Sequence, residues 1–161
     1  MGPAEEIEGQ LDGDGKHFTV VASRFHPAIV DRLIEGAVGC LQKHGVRSED
    51  VQIIRVPGAW EIAQAAEEVA ALEKTDGVIA LGVIIRGETP HFDHLCAECA
   101  RGLGSLASKY RLPVSFGLLT CDTAEQAKER AGGKVGNKGF EAAQAALELA
   151  GLFRELRPEG S

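Results

Sequence analysis

At 161 residues with 44 % apolar side chains, the chain has enough material to bury a core and fits one domain over residues 1–161, with 1–14 as an arm and 157–161 as a tail. A net charge of −7 argues against nucleic acid or an anionic membrane as main partner, but leaves room for a local basic pocket around a small phosphorylated ligand. No apolar run approaches a membrane span and the acidic start has no signal-peptide core, so a cytoplasmic protein is expected, with Cys40, Cys96, Cys99 and Cys121 as core thiols rather than disulfides.

Residues 1–14 carry weak signals; Ile7 and Leu11 suit a short edge strand paired with a neighbouring subunit. The run from His17 to Ser23 reads as the first strand. Pro27 opens a helix to about His44, with apolar residues at three- and four-residue spacing and Gly45 as its stop. A second strand spans Val51 to Val56, and after Pro57-Gly58-Ala59 a helix runs from Trp60 to Leu72. The stretch from Gly77 to Ile85 is an almost unbroken Val/Ile run, the pattern of a strand buried on both faces of a parallel sheet.

Next comes the polar turn Arg86-Gly87-Glu88. Thr89 reads as N-cap and Pro90 as first residue of a helix reaching about Tyr110. Val114 to Thr120 is the fourth strand and Thr123 to Ala131 a short helix. A Gly-rich loop, residues 132–137, precedes a final helix from Lys138 to Leu156. The alternation of strand and helix implies right-handed crossovers, a four-stranded parallel sheet and helices on both faces, a three-layer α/β/α sandwich.

In such sheets ligands bind beyond the carboxyl ends of the strands. Three of those ends carry the chain's least ordinary residues: Phe25, whose face suits a flat heterocycle; the pair Trp60-Glu61 at a helix start; and His91 in the first turn of a helix whose N-terminus suits an anion. Arg130, Lys134 and Lys138 bracket the Gly-rich loop, a cationic cluster suited to phosphate. His91, His94, Cys96 and Cys99 have ligand chemistry for zinc, but Cys96 and Cys99 share the apolar stripe of their helix, which makes them core thiols and leaves no metal site. The chain has no GxGxxG, Walker or Gly-x-Ser-x-Gly sequence.

The blocks Ser23-Arg24-Phe25, Val56 to Glu61, Gly82 to Asp93 (with Arg-Gly-Glu-Thr-Pro-His), Phe116 to Thr120 and Gly136-Asn137-Lys138-Gly139, in this order, resemble the 6,7-dimethyl-8-ribityllumazine synthase family over residues 7–156. The resemblance implies a flavodoxin-like fold and a transferase-class enzyme of riboflavin biosynthesis that uses no cofactor. Phe25 would stack on the pyrimidine of ribitylaminouracil. Ala59, Trp60 and Glu61 would meet its ribityl chain, and Val83, Ile84 and Ile85 would hold its pyrimidine edge. Glu88, through its N–H, and Thr89 would bind the phosphate of the butanone substrate, with His91 transferring protons.

By the same resemblance Phe116, Arg130 and Lys138 would enter the site from an adjacent subunit, Arg130 and Lys138 at the phosphate. His26 stands where many relatives have Asn, and Phe140, read here as core, where a Trp also occurs. The implied assembly is a pentamer, closed by the short 132–139 loop type into an icosahedral shell of sixty subunits, with riboflavin synthase as a partner it could enclose. Two other readings share the fold: a non-catalytic flavin- or lumazine-binding module, and a mainly structural cage. The joint presence of His91 and Arg130 favours the enzyme.

Overall fold

A computed structural model describes residues 2–158; of the expected tail, residues 159–161 lie outside the described residues. The strands are β1 (Phe18–Ser23), β2 (Val51–Val56), β3 (Gly77–Ile85) and β4 (Val114–Cys121). They form one parallel sheet in the order β2-β1-β3-β4. The inner strands are the most apolar ones in the sequence. All six residues of β1 and the first eight of β3 are buried, whereas β2 and β4, at the two edges, expose every few side chains.

Helices cover both faces, as the alternation predicts. On one side α1 (Pro27–Lys43) and α5 (Lys138–Leu156) pack Leu33, Leu41 and Leu147 against Val20, Ile79 and Leu81. On the other, α2 (Ile62–Ala71) and α3 (His91–Tyr110) pack Ile62, Leu103 and Leu106 against Val21, Val78 and Ala80. Each fully buried aliphatic side chain in these layers contributes about 1.5–3 kcal/mol through loss of water contact. A short helix, α4 (Ala124–Glu129), closes the upper edge of the α1/α5 side, with Ala127 buried there.

Several expectations at element ends are corrected. Helix α3 begins at His91, not Pro90: Pro90 itself is the N-cap, its carbonyl accepts the Asp93 and His94 N–H groups, and no side chain, Thr89 included, caps the end. Proline lacks an N–H to donate, so it suits the boundary as well as the first turn. Ala59–Glu61 forms a tight 3-10 turn, and α2 starts only at Ile62. The Gly-rich loop holds a small antiparallel hairpin, β5 (Ala131–Gly133) with β6 (Gly136–Asn137), made by the positive φ of Gly132 and Gly136. Gly45 does stop α1: its N–H donates to the Gln42 carbonyl and that of Val46 to Leu41.

Residues 2–13 form no strand within the chain. Leu11 packs on the α1/α5 core, while Ile7 is 43 % exposed. The arm lies so close on α5 that a Cβ at Gly9 would sit 1.8 Å from the Glu148 carbonyl oxygen, and one at Gly151 would sit 2.8 Å from that of Gln10.

The Gly-Asn-Lys-Gly block docks α5 on α1. Asn137 caps α5 by accepting the Phe140 N–H at 3.1 Å, and its own amide donates to the Arg32 carbonyl at 3.1 Å. Two residues on, the helices touch backbone to backbone: a Cβ at Gly139 would stand 2.0 Å from the Leu33 carbonyl oxygen. At the opposite end of the sheet Asp50, 6 % exposed, accepts from Arg47 Nε at 2.8 Å and lies 3.0 Å from His17 Nδ1. The Arg47 hydrogen bond and charge hold the Asp50 carboxyl below its ordinary range, against the burial that would raise it.

Two outcomes follow from these contacts. Gly139→Ala is expected to lose about 1–3 kcal/mol of stability as α1 and α5 are forced apart, read as a lower denaturant midpoint. Because the folded state lowers the Asp50 pKa, its contribution is present above the ordinary carboxylate range and is lost on acidification. Asp50→Asn is therefore expected to flatten the loss of stability below about pH 4, measured by denaturation across pH.

Candidate active site

The parallel register brings three chain ends to one level. Ser23 at the end of β1 lies beside Val56 at the end of β2, and β3 runs past both to Ile85. Beyond these ends, on the α2/α3 side, opens a cleft of about 430 Å³. The segment after β1 supplies Phe25 and His26, the turn after β2 supplies Ala59, Trp60 and Glu61, and the top of β3 supplies Val83, Ile84 and Ile85. The corner leading into α3 completes it with Gly87, Thr89 and His91.

Two walls are aromatic and open to solvent, Phe25 at 66 % and Trp60 at 57 % exposure. Val83 and Ile84 are buried and make the floor. Phe92 and Leu95, in the first turn and a half of α3, close the side of the cleft beneath His91. His26 was unassigned in the sequence. It sits at φ 56°, ψ 59°, a left-handed conformation in which His, Asp and Asn are enriched among non-glycine residues, and that sharp turn directs the chain from Phe25 into α1.

The corner between β3 and α3 is clamped by a residue the sequence reading placed only in a polar turn. The Arg86 N–H donates to the Cys121 carbonyl, and its guanidinium Nε donates to Asp122 Oδ1 at 2.7 Å. Nη1 lies 3.5 Å from Asp93 Oδ1, and the group stacks 4.4 Å from the centre of the Phe92 ring. Asp122, then Asp93, holds this guanidinium more firmly charged than usual. Acidic residues at the end of β4 and in the first turn of α3 were visible in the sequence; that one arginine reaches both was not.

The remaining residues of interest fall elsewhere. Glu88 lies between Gly87 and Thr89, but its side chain is exposed and does not line the cleft. Phe116, 37 % exposed on edge strand β4, pairs with Ala80. That is five positions below Ile85, about 16 Å down the sheet. Arg130 ends α4 on the α1/α5 side of the sheet, where its Nη1 donates to the Gln126 carbonyl at 3.0 Å. Lys138 opens α5 with its N–H on the Arg130 carbonyl. None of these three lines the cleft, and among its described lining residues there is no lysine or arginine.

The cleft thus offers a flat aromatic face, polar groups at the Glu61 end, a helix N-terminus at the Thr89 end and two imidazoles, His26 and His91. Among the described residues no three His, Cys, Asp or Glu side chains gather as metal ligands, and no helix is long and apolar enough to cross a membrane. Cys40, Cys99 and Cys121 are buried and Cys96 is half-buried; all four are unbonded to one another.

The family model for 6,7-dimethyl-8-ribityllumazine synthase matches residues 15–154. This chain belongs to that family. Proteins named 6,7-dimethyl-8-ribityllumazine synthase from Aquifex aeolicus and Desulfovibrio desulfuricans are 55 % and 49 % identical to it. The first alignment covers 93 % of this chain and 97 % of the relative, the second 97 % and 100 %. A third, from Chlorobium phaeobacteroides, is 48 % identical over 94 % of this chain and 98 % of its own length. The lumazine synthase family match spans every strand of the sheet and every residue of the cleft.

Proposed function

We propose that the chain is a 6,7-dimethyl-8-ribityllumazine synthase, a transferase-class enzyme. It condenses 5-amino-6-(D-ribitylamino)uracil with 3,4-dihydroxy-2-butanone 4-phosphate. The products are 6,7-dimethyl-8-ribityllumazine, phosphate and water, at the penultimate step of riboflavin biosynthesis. The observation that carries this reading is the convergence of Phe25, the Ala59–Glu61 turn, the top of β3, Thr89 and His91 on one cleft.

In this reading Phe25 stacks on the pyrimidine, whose edge meets the backbone of Val83, Ile84 and Ile85. The ribityl hydroxyls lie along Ala59, Trp60 and Glu61. The phosphate takes the other end, at Thr89 and the N–H of Glu88, where the positive end of twenty-residue α3 favours an anion. His91, first residue of that helix, stands between the amine and the phosphate and moves protons during imine formation and phosphate loss, a role open to an imidazole because its two ring nitrogens can donate and accept.

A dianionic phosphate in a cleft whose lining holds no cation needs countercharge from outside. Arg86 is engaged with Asp122 and Asp93. We assign the role to Arg130, assisted by Lys138, of an adjacent copy, which also brings Phe116 onto the pyrimidine. The half-exposed Arg130 and the exposed edge of β4 support that assignment. The functional unit is then a ring, read as a pentamer and, with the short loop before α5, as a component of a sixty-subunit shell in the cytoplasm.

His91→Ala is expected to lower kcat by about a hundredfold or more while KM changes little. Arg130→Ala is expected to raise KM for the butanone phosphate by about tenfold or more, the loss of a charge-assisted contact. When the two variants are co-assembled in equal amounts and assayed at butanone phosphate concentrations well below KM, where each alone is impaired, roughly a quarter of the interfaces carry both intact groups. Steady-state lumazine fluorescence should recover to that extent. Activity no higher than the average of the two variants would place both groups in one chain's site and sink the shared-site reading.

A further inference from the structure

The long helix that starts with His91 and the turn that carries Trp60 and Glu61 are separate in sequence and must keep a fixed spacing across the cleft. One side chain links them directly. Cys99, two turns along α3, is 4 % exposed, and its Sγ lies 3.4 Å from the carbonyl oxygen of Ala59 with donor geometry. The same carbonyl accepts the Ile62 N–H at the start of α2. The next contact along the seam shows the approach is built in: a Cβ at Gly102 would stand 3.0 Å from the Ala63 Cβ, so glycine there lets α3 settle onto α2 and brings the thiol within reach.

We infer that Cys99 is a positioning residue, whose thiol donates to the Ala59 carbonyl and thereby holds the Ala59–Glu61 turn at a set distance from the His91 end of α3. The inference rests on the function proposed above for its catalytic readout, but not for its structural one. It deepens that reading by assigning part of the recognition of the polyol-bearing substrate to a buried contact that touches no ligand. Burial, with Cys96, Glu98 and Glu61 nearby, pushes the Cys99 thiol up to about 11, so the S–H remains a donor at any physiological pH.

The link acts on the turn and not on the imidazole. Residues Ala59 to Glu61 are joined to Cys99 directly, while His91 lies about 12 Å away along the helix axis. Loosening the turn therefore weakens binding of the ribityl-bearing partner before it slows proton transfer. A weak hydrogen bond of this kind corresponds to a change in affinity of about fivefold.

The test compares Cys99→Ala, which removes the donor, with Cys99→Ser, which keeps one, in the full oligomeric protein. Cys99→Ala is expected to raise KM for ribitylaminouracil about fivefold, with kcat and KM for the butanone phosphate within about twofold, and Cys99→Ser to recover most of the loss. Trp60, the chain's single tryptophan, gives a second readout. Acrylamide quenching of its fluorescence should rise in Cys99→Ala and return toward wild type in Cys99→Ser. Indistinguishable variants, or a fall in kcat with KM unmoved, would overturn the assignment. Should the wild type form no lumazine, the condensation reading fails, and quenching alone decides on Cys99: unchanged quenching in Cys99→Ala overturns it.

Discussion

Parallel pairing of β1 with both β2 and β3 is the contact from which the candidate site descends. It sets Ser23 level with Val56 and carries β3 four residues beyond its last pairing partner on β1. Three loops therefore leave the sheet at one edge, each followed by a helix that packs back onto it. Because β1 and β3 are buried on both faces, a one-residue slip would move apolar side chains against the wrong layer, and the register is strongly held. The cleft inherits that rigidity: its floor is strand, its rim includes the first turns of helices, and Phe25 and Trp60 are the large apolar side chains exposed at its mouth.

Electrostatics divide the chain between two roles. The corner that would receive an anion uses its own arginine internally, Arg86 being held by two carboxylates and an aromatic ring. The guanidinium and ammonium nearest in kind, Arg130 and Lys138, are carried by α4 and α5 on the other face of the sheet. On the assignment proposed above, a single copy would present an acceptor site without its countercharge and, elsewhere, a countercharge without its acceptor. That separation would make an oligomer chemically useful, since neither half would be complete against a phosphate on its own.

Much of this was legible in the residues. Apolar Val/Ile runs located each strand of the four-stranded sheet to within a residue, and the turn chemistry of Gly45 and of the Pro-Gly after Val56 marked where α1 and β2 end. The rule that ligands gather beyond strand ends groups Phe25, Trp60, Glu61, Thr89 and His91, and the cleft holds all five. What failed were local choices between near-equal caps. Thr89 had the chemistry of an N-cap, but Pro90 holds the position, its carbonyl accepting the Asp93 and His94 N–H groups. Tertiary pairings such as Arg86 with Asp122, 36 residues apart, leave no periodic trace. Arg130 and Lys138 stood out as a cationic cluster, but Phe116 was singled out by resemblance alone, and register explains why: Phe116 sits too far down β4 to reach its own cleft.

The close seat of the arm on α5 has a consequence for reach. Where Gly9 meets the Glu148 carbonyl there is no space for a side chain, so the backbone cannot slide along the helix without a clash. The seat acts as a fixed post. Ile7 stands two residues from it, which at about 3.3 Å each when extended gives a backbone radius of about 7 Å. Any surface that Ile7 covers must lie inside that circle, which bounds how far apart two copies can stand if the leash of one is to lie on the body of the other.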